Sequence, residues 1–119
     1  MPGEVYVLSL ELTRKDTRIA GFQLTARFAD GPGGQAGKLS PFDGRVTVIN
    51  ASGIQYAQHT LEGSGLTGGD SAVWRLSWEA PEKAPGPVAL RVAANAGNGD
   101  DSPLGDHIYT LELFVTPYR

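Results

Sequence analysis

Short alternating apolar segments, punctuated by glycine and proline, predict an all-β fold: an antiparallel β-sandwich of about seven strands. Three observations carry that fold class. Sixteen glycines and eight prolines divide 119 residues into stretches too short for several packed helices. Those stretches are rich in β-branched and aromatic residues, and none sustains an apolar repeat of helical period. Their spacing is typical of strands that share two layers around one core.

The first expected strand runs from Val5 to Leu12, with Tyr6, Leu8, Leu10 and Leu12 as its core face. A turn at Arg14-Lys15-Asp16 is expected to join it to an adjacent strand, Gly21 to Ala29. That second strand has the clearest alternation: Phe22, Leu24, Ala26 and Phe28 point one way, Gln23, Thr25 and Arg27 the other. Further strands are expected over 45–49, 54–60, 73–79, 88–94 and 108–115. In the fifth, Trp74, Leu76 and Trp78 share a face. Trp78 is expected at the centre of the core; Trp74, nearer the strand start, is expected to be the more exposed.

Length fits one domain, spanning residues 3–117, with enough chain to bury a core without staples. The composition is globular, at 40% hydrophobic and 19% charged. The net charge of −3 is scattered and forms no basic stripe, which argues against nucleic acid as a partner. The chain has no cysteine, so disulfides, thiolate metal sites and a cysteine nucleophile are excluded within it. No apolar run approaches the ~18 residues of a membrane span, so the domain is not expected to insert into a membrane. Met1-Pro2-Gly3 leads straight into a strand pattern, so the start is read as the cut edge of a longer protein.

Five segments, in order, resemble the motifs of the bacterial reeler-like domain, also described as the choice-of-anchor V domain. They are Gly21-Phe-Gln-Leu-Thr-Ala, Gln58-His-Thr, Trp74-Arg-Leu-Ser-Trp-Glu-Ala-Pro, Ala93-Ala-Asn-Ala-Gly-Asn-Gly-Asp and Gly105-Asp-His-Ile-Tyr-Thr. The resemblance runs from about Pro2 to Thr116 and implies an immunoglobulin/fibronectin-III-like sandwich. It also implies a bacterial periplasmic or cell-surface location, often with an anchor after the domain and a c-type haem motif before it. Neither anchor nor Cys-x-x-Cys-His stands in this sequence. The resemblance supplies no catalytic residues. Its motif positions here are His59, Thr60, Trp78, Pro81, Asn95, Gly105, Asp106 and Tyr109.

His59 and His107 are the only histidines, and no close histidine pair offers a zinc anchor. His59 is therefore read as a buried imidazole bridging two backbone segments through its two ring nitrogens. His107 is expected to be exposed. The loop from Asn95 to Asp106 is the richest polar stretch. Asn95, Asn98, Asp100, Asp101 and Asp106 could supply the oxygens of a calcium site. The alternative is a long connection whose Asn and Asp cap their own backbone. The serines lie in no nucleophile elbow, and no carboxylate pair is evident. Gly63 to Gly69 lacks the lysine of a phosphate loop and is read as a mobile connection. Asn50-Ala-Ser is a formal glycosylation sequon, silent in a bacterial protein.

These features favour a non-catalytic extracytoplasmic interaction or spacer module, meeting protein, glycan or neighbouring domains of its parent chain through loops. An accessory to an upstream haem segment is one alternative. A carbohydrate-binding module is another, resting on Trp74, Tyr56 and Tyr109 forming one exposed stacking face. No cofactor is expected apart from calcium in the 95–106 loop.

Overall fold

The structure, a computed structural model, describes residues 4–15, 17–81, 86–97 and 107–115. It is an antiparallel β-sandwich of three and five strands, of the predicted class. The strands are β1 (Val5–Thr13), β2 (Ile19–Phe28), β3 (Lys38–Pro41), β4 (Val46–Ala51), β5 (Ile54–His59), β6 (Ser71–Glu79), β7 (Val88–Gly97) and β8 (His107–Val115). One layer has the order β1-β6-β3 and the other β4-β5-β2-β7-β8. A single turn of 3-10 helix, Glu62–Ser64, precedes β6.

Only β4–β5 and β7–β8 are sequence neighbours that also pair. The other five connections carry the chain from one layer to the other, so most strand pairing is long-range. The segment after Thr13 illustrates this and corrects an expectation. It joins no adjacent pair: β1 pairs with β6, while β2 pairs with β5 and β7. The link is a corner between layers. The β4–β5 hairpin has the two-residue turn Ser52-Gly53, both at positive φ (52° and 82°), which matches the twist of the strands it joins.

β3 is the strand that the sequence pattern misses. Its four residues carry one buried apolar side chain, Leu39, too short a run for alternation to register. It pairs with the second half of β6 and covers β4 and β5 from the other layer.

The core lies where inward faces of both layers meet. β2 contributes Ala20, Phe22, Leu24 and Ala26, and β6 contributes Ala72, Trp74, Leu76 and Trp78. Phe22 and Trp74 touch across the layers with ring centroids 4.9 Å apart. Leu8, Leu10 and Leu12 of β1 pack against this cluster, as their alternation predicts. Trp78 is buried at 2% exposure, but so is Trp74, at 1%. Position near a strand start did not expose Trp74, because residues 61–65 fold over it. Its indole Nε1–H donates to Gly63 O at 2.8 Å, and that of Trp78 donates to Ala36 O at 3.0 Å. Each ring removes roughly 200 Å2 from water, worth ~5 kcal/mol of transfer free energy before ordering costs.

Candidate functional site

Two places on the molecule concentrate unusual chemistry. The first is a polar node where β5 ends. The ladder between β2 and β5 holds only Gln23↔Gln58 and Leu24↔Ala57. Beyond it the His59 ring takes over: the Phe22 N–H donates to His59 Nδ1 at 3.1 Å. Nδ1 also lies 3.4 Å from Phe22 O, but the shorter contact is from an N–H, which can only donate, so Nδ1 is assigned as acceptor and the ring proton to Nε2. The ring occupies the space over Gly21, where a Cβ would stand 2.4 Å from Cε1. His59 is half-buried and tied through Nδ1 to one strand, rather than bridging two segments through both nitrogens as expected.

Thr60 continues the node. Its hydroxyl donates to Gly44 O at 2.6 Å and accepts from the Gly63 N–H at 3.0 Å. Arg45 lies beneath, its guanidinium donating to Val73 O, Glu62 O, Gly63 O and Gly65 O over 2.8–3.4 Å. Gly63 is buried, and a Cβ there would stand 2.1 Å from Arg45 O. The start of the glycine-rich loop is thus a tied-down lid on Trp74, not the mobile connection expected from its composition. Arg45 was not singled out in the sequence because nothing around it marks a strand-end arginine as a clamp.

The outer side of this node opens into a groove of about 660 Å3 over β2 and β7, lined by Gly21, Gln58, His59, Ala93, Asn95 and Ile108 among others. Its polar groups are neutral, no Asp, Glu, Lys or Arg among the described residues lines it, and its imidazole acceptor is already engaged. Asn95, opposite Gly21 and Ile108 in the ladders, is exposed on this face.

The described residues among the other expected sites stand apart from one another. Trp78 is core, and Pro81 is half-buried just past β6. Asn98, Asp100, Asp101, Gly105 and Asp106 lie outside the described residues, so Asn95 is the one described member of the calcium set. Among the described residues, no group of three or more His, Cys, Asp or Glu could hold a metal. Tyr109 is 40% exposed, its hydroxyl accepting from Arg14 Nη1 at 2.6 Å. Tyr56 and Tyr109 stand on opposite faces of the larger sheet, with β2 and β7 between them, and Trp74 is buried in the other layer. The three aromatics therefore form no common stacking face.

The second place is the rim formed by β1 and β8. In the ladder with β7, Leu113 sits opposite Leu90, Leu111 opposite Val92 and Tyr109 opposite Ala94. Residues directly opposite in an antiparallel pair share a face, so these three point toward the core layer. They are nonetheless exposed, Leu111 at 64% and Leu113 at 54%. β3 lies over β4 and β5, so the three-stranded layer ends before it reaches β8. Of twelve large hydrophobic side chains exposed among the described residues, eight belong to β1 and β8: Val5, Tyr6, Val7, Ile108, Tyr109, Leu111, Leu113 and Phe114.

No protein-family model matches the chain, and no curated protein or solved structure is significantly similar to it. Among the described residues, no helix is long and apolar enough to cross a membrane.

Proposed function

We propose that this domain is a non-catalytic interaction module of a larger bacterial surface or periplasmic protein. It engages protein through the β1–β8 rim rather than through loop tips. One observation carries the reading: among the described residues, two thirds of the large exposed hydrophobics lie on two of eight strands, both at sheet edges. Scattered surface hydrophobics are ordinary, whereas apolar side chains gathered on two strands at sheet edges are what a protein partner recognises. The polar side chains that bond elsewhere serve the fold: His59, Thr60, Arg45 and both indoles are spent on backbone groups. The ordered resemblance to reeler-like motifs supports the extracytoplasmic placement.

A photo-cross-linking amino acid tests this in the parent protein, in its own host. Placed at Leu113, it is expected to give a discrete protein adduct. Placed at Ile49, an exposed residue on the outer face of β4, it is expected to give none. Equal labelling from both positions, or no protein adduct from Leu113, would overturn the reading.

A further inference from the structure

From the shape of the rim we infer that the protein partner is a second copy of this chain, joined by β8 of each copy adding to the open edge of β1 in the other. The inference rests on the interaction-module reading and names its partner.

In cross-section the sandwich is a step. One layer ends at β1, and the other continues past it to β8, leaving Leu111 and Leu113 of its inward face exposed while Val115 packs against the core. A step of this kind fits itself after a two-fold rotation about an axis parallel to the strands and midway between the layers. The rotation exchanges the layers, so the overhanging β8 of the second copy arrives in the plane of β1, beside its free edge. Symmetry places β8 of the first copy beside the other β1. Two continuous eight-stranded sheets result, each with the order β3-β6-β1-β8-β7-β2-β5-β4, and the two β8 faces cover each other. The interface is isologous and closed, so it ends at two copies and does not grow into a fibre.

Strand direction agrees. The corner after β1 is short, so β2 runs back against β1; β7 is antiparallel to β2, and β8 to β7. β8 therefore runs opposite to β1, and rotation about an axis parallel to the strands preserves that. The added pair is antiparallel, the more favourable ladder.

Length and register agree as well. β1 and β8 each have nine residues. The bond from Arg14 to Tyr109 sets the start of β8 level with the end of β1. A pure two-fold rotation adds no shift; of the two same-face registers within reach of that bond, one sets Glu11 against Glu112, so we take the other, in which Leu12 faces Tyr109 of the second copy, Leu10 faces Leu111 and Leu8 faces Leu113. On the outer surfaces, Val7 faces Phe114 and Ser9 faces Glu112. Apolar meets apolar at every inward position, and no like charges are directly opposite. Glu112 already holds an ion pair with Arg91 of its own copy. Each copy would cover two strand edges and one overhanging face along about 30 Å, on the order of the ~800 Å2 per partner of a stable interface.

The chain has no cysteine, so introduced thiols report cleanly. Protein carrying Ser9→Cys and protein carrying Glu112→Cys are mixed and oxidised. The expected result is a disulfide-linked dimer from the mixture and none from either variant alone. Sedimentation of the unaltered chain should show a monomer–dimer equilibrium, and Leu111→Lys with Leu113→Lys should raise its dissociation constant at least tenfold while leaving the melting temperature of the dilute monomer in place. If the lysine variant fails to fold, the cysteine mixture still decides. Linkage of the Ser9→Cys variant to itself would mean β1 pairs with β1, and overturns the inference. A monomer at all concentrations overturns it too. If the Leu113 photo-adduct is a different protein, the self-pairing fails while the interaction-module reading survives. If neither partner appears, both fail.

Discussion

The two ends of this sandwich are built from the same alternation and finished differently. At the β3 end the gap between layers is closed by glutamines. The side chain of Gln55, inward-facing beside Ala57 on β5, accepts from the Leu39 N–H at 2.8 Å and donates to Leu39 O at 3.4 Å. It thereby mimics a strand neighbour across the layers. Gln35 completes the seal, accepting from the Gln55 N–H at 2.8 Å. At the β8 end the inward side chains are Tyr109, Leu111, Leu113 and Val115, and the described side-chain bonds to other elements are Arg14 to Tyr109 and, on the outer face, Arg91 to Glu112. A polar seal satisfies backbone groups and turns an edge away from partners; an apolar overhang does neither. Inward orientation buries a residue only where a second layer stands over it.

The sharpest way to break this contrast is to truncate equivalent inward residues at each end. Trp78→Ala removes a 2%-exposed ring and leaves Ala36 O without its donor. The expected loss is ~3–5 kcal/mol by urea denaturation. Trp74→Ala should cost the same order, since it opens a void beneath Gly63 and opposite Phe22. A cost near ~1 kcal/mol for either would mean that the sealed end is not the stabilising one.

The polar node offers a second, smaller test. Gly21→Ala places a methyl group in the space of the His59 ring. The ring must leave, giving up its bond from the Phe22 N–H, with an expected cost of ~1–3 kcal/mol. In a His59→Ala background that cavity is vacant, so the same Gly21→Ala change should cost much less. The pair is read as a double-mutant cycle with a coupling of at least ~1 kcal/mol. Additive losses would show that the ring and Gly21 do not depend on each other.

Alternation alone located seven of the eight described strands, and it named the inward faces of β1, β2 and β6. It failed where a residue's neighbours are remote in sequence. β3 has one apolar side chain, and its place is set by Trp78, paired with Leu39 across the ladder. Trp74 is sealed by a lid eleven residues upstream, held by Arg45, which no local pattern connects to it. On β5 the pattern even inverts: Gln55 faces inward, while Tyr56 shares the outer face with Ile49. Of the candidate site, His59 and Thr60 were legible as motif residues, but their partners were not. The rim was legible only as two apolar strands, because which strands end a sheet is decided by pairing and not by either strand's sequence.

Gln55→Ala sharpens the contrast from the sealed side. It strands the Leu39 N–H, half-buried between layers, and removes a partner of Gln35. About 1–3 kcal/mol should be lost. Hydrogen exchange at Leu39 should accelerate well beyond that of Leu76, because the opening is local to β3.

The smallest expected effect belongs to the open end and is the most informative. Leu111→Ser changes a leucine that points the same way as Val92, its ladder partner, yet keeps 64% of its surface in water. In the isolated monomer little transfer energy is at stake, and the stability change should stay within ~0.5 kcal/mol at micromolar concentration or below. At higher concentration the outcome separates the two descriptions of the rim. A rim that only overhangs leaves the melting temperature of both proteins independent of concentration. A rim that is covered by another copy links folding to association, so the unaltered chain melts higher as it is concentrated and the serine variant does not. A large loss in the dilute monomer would instead mean that β8 is covered from within the chain, and the distinction between a sealed and an open end would disappear.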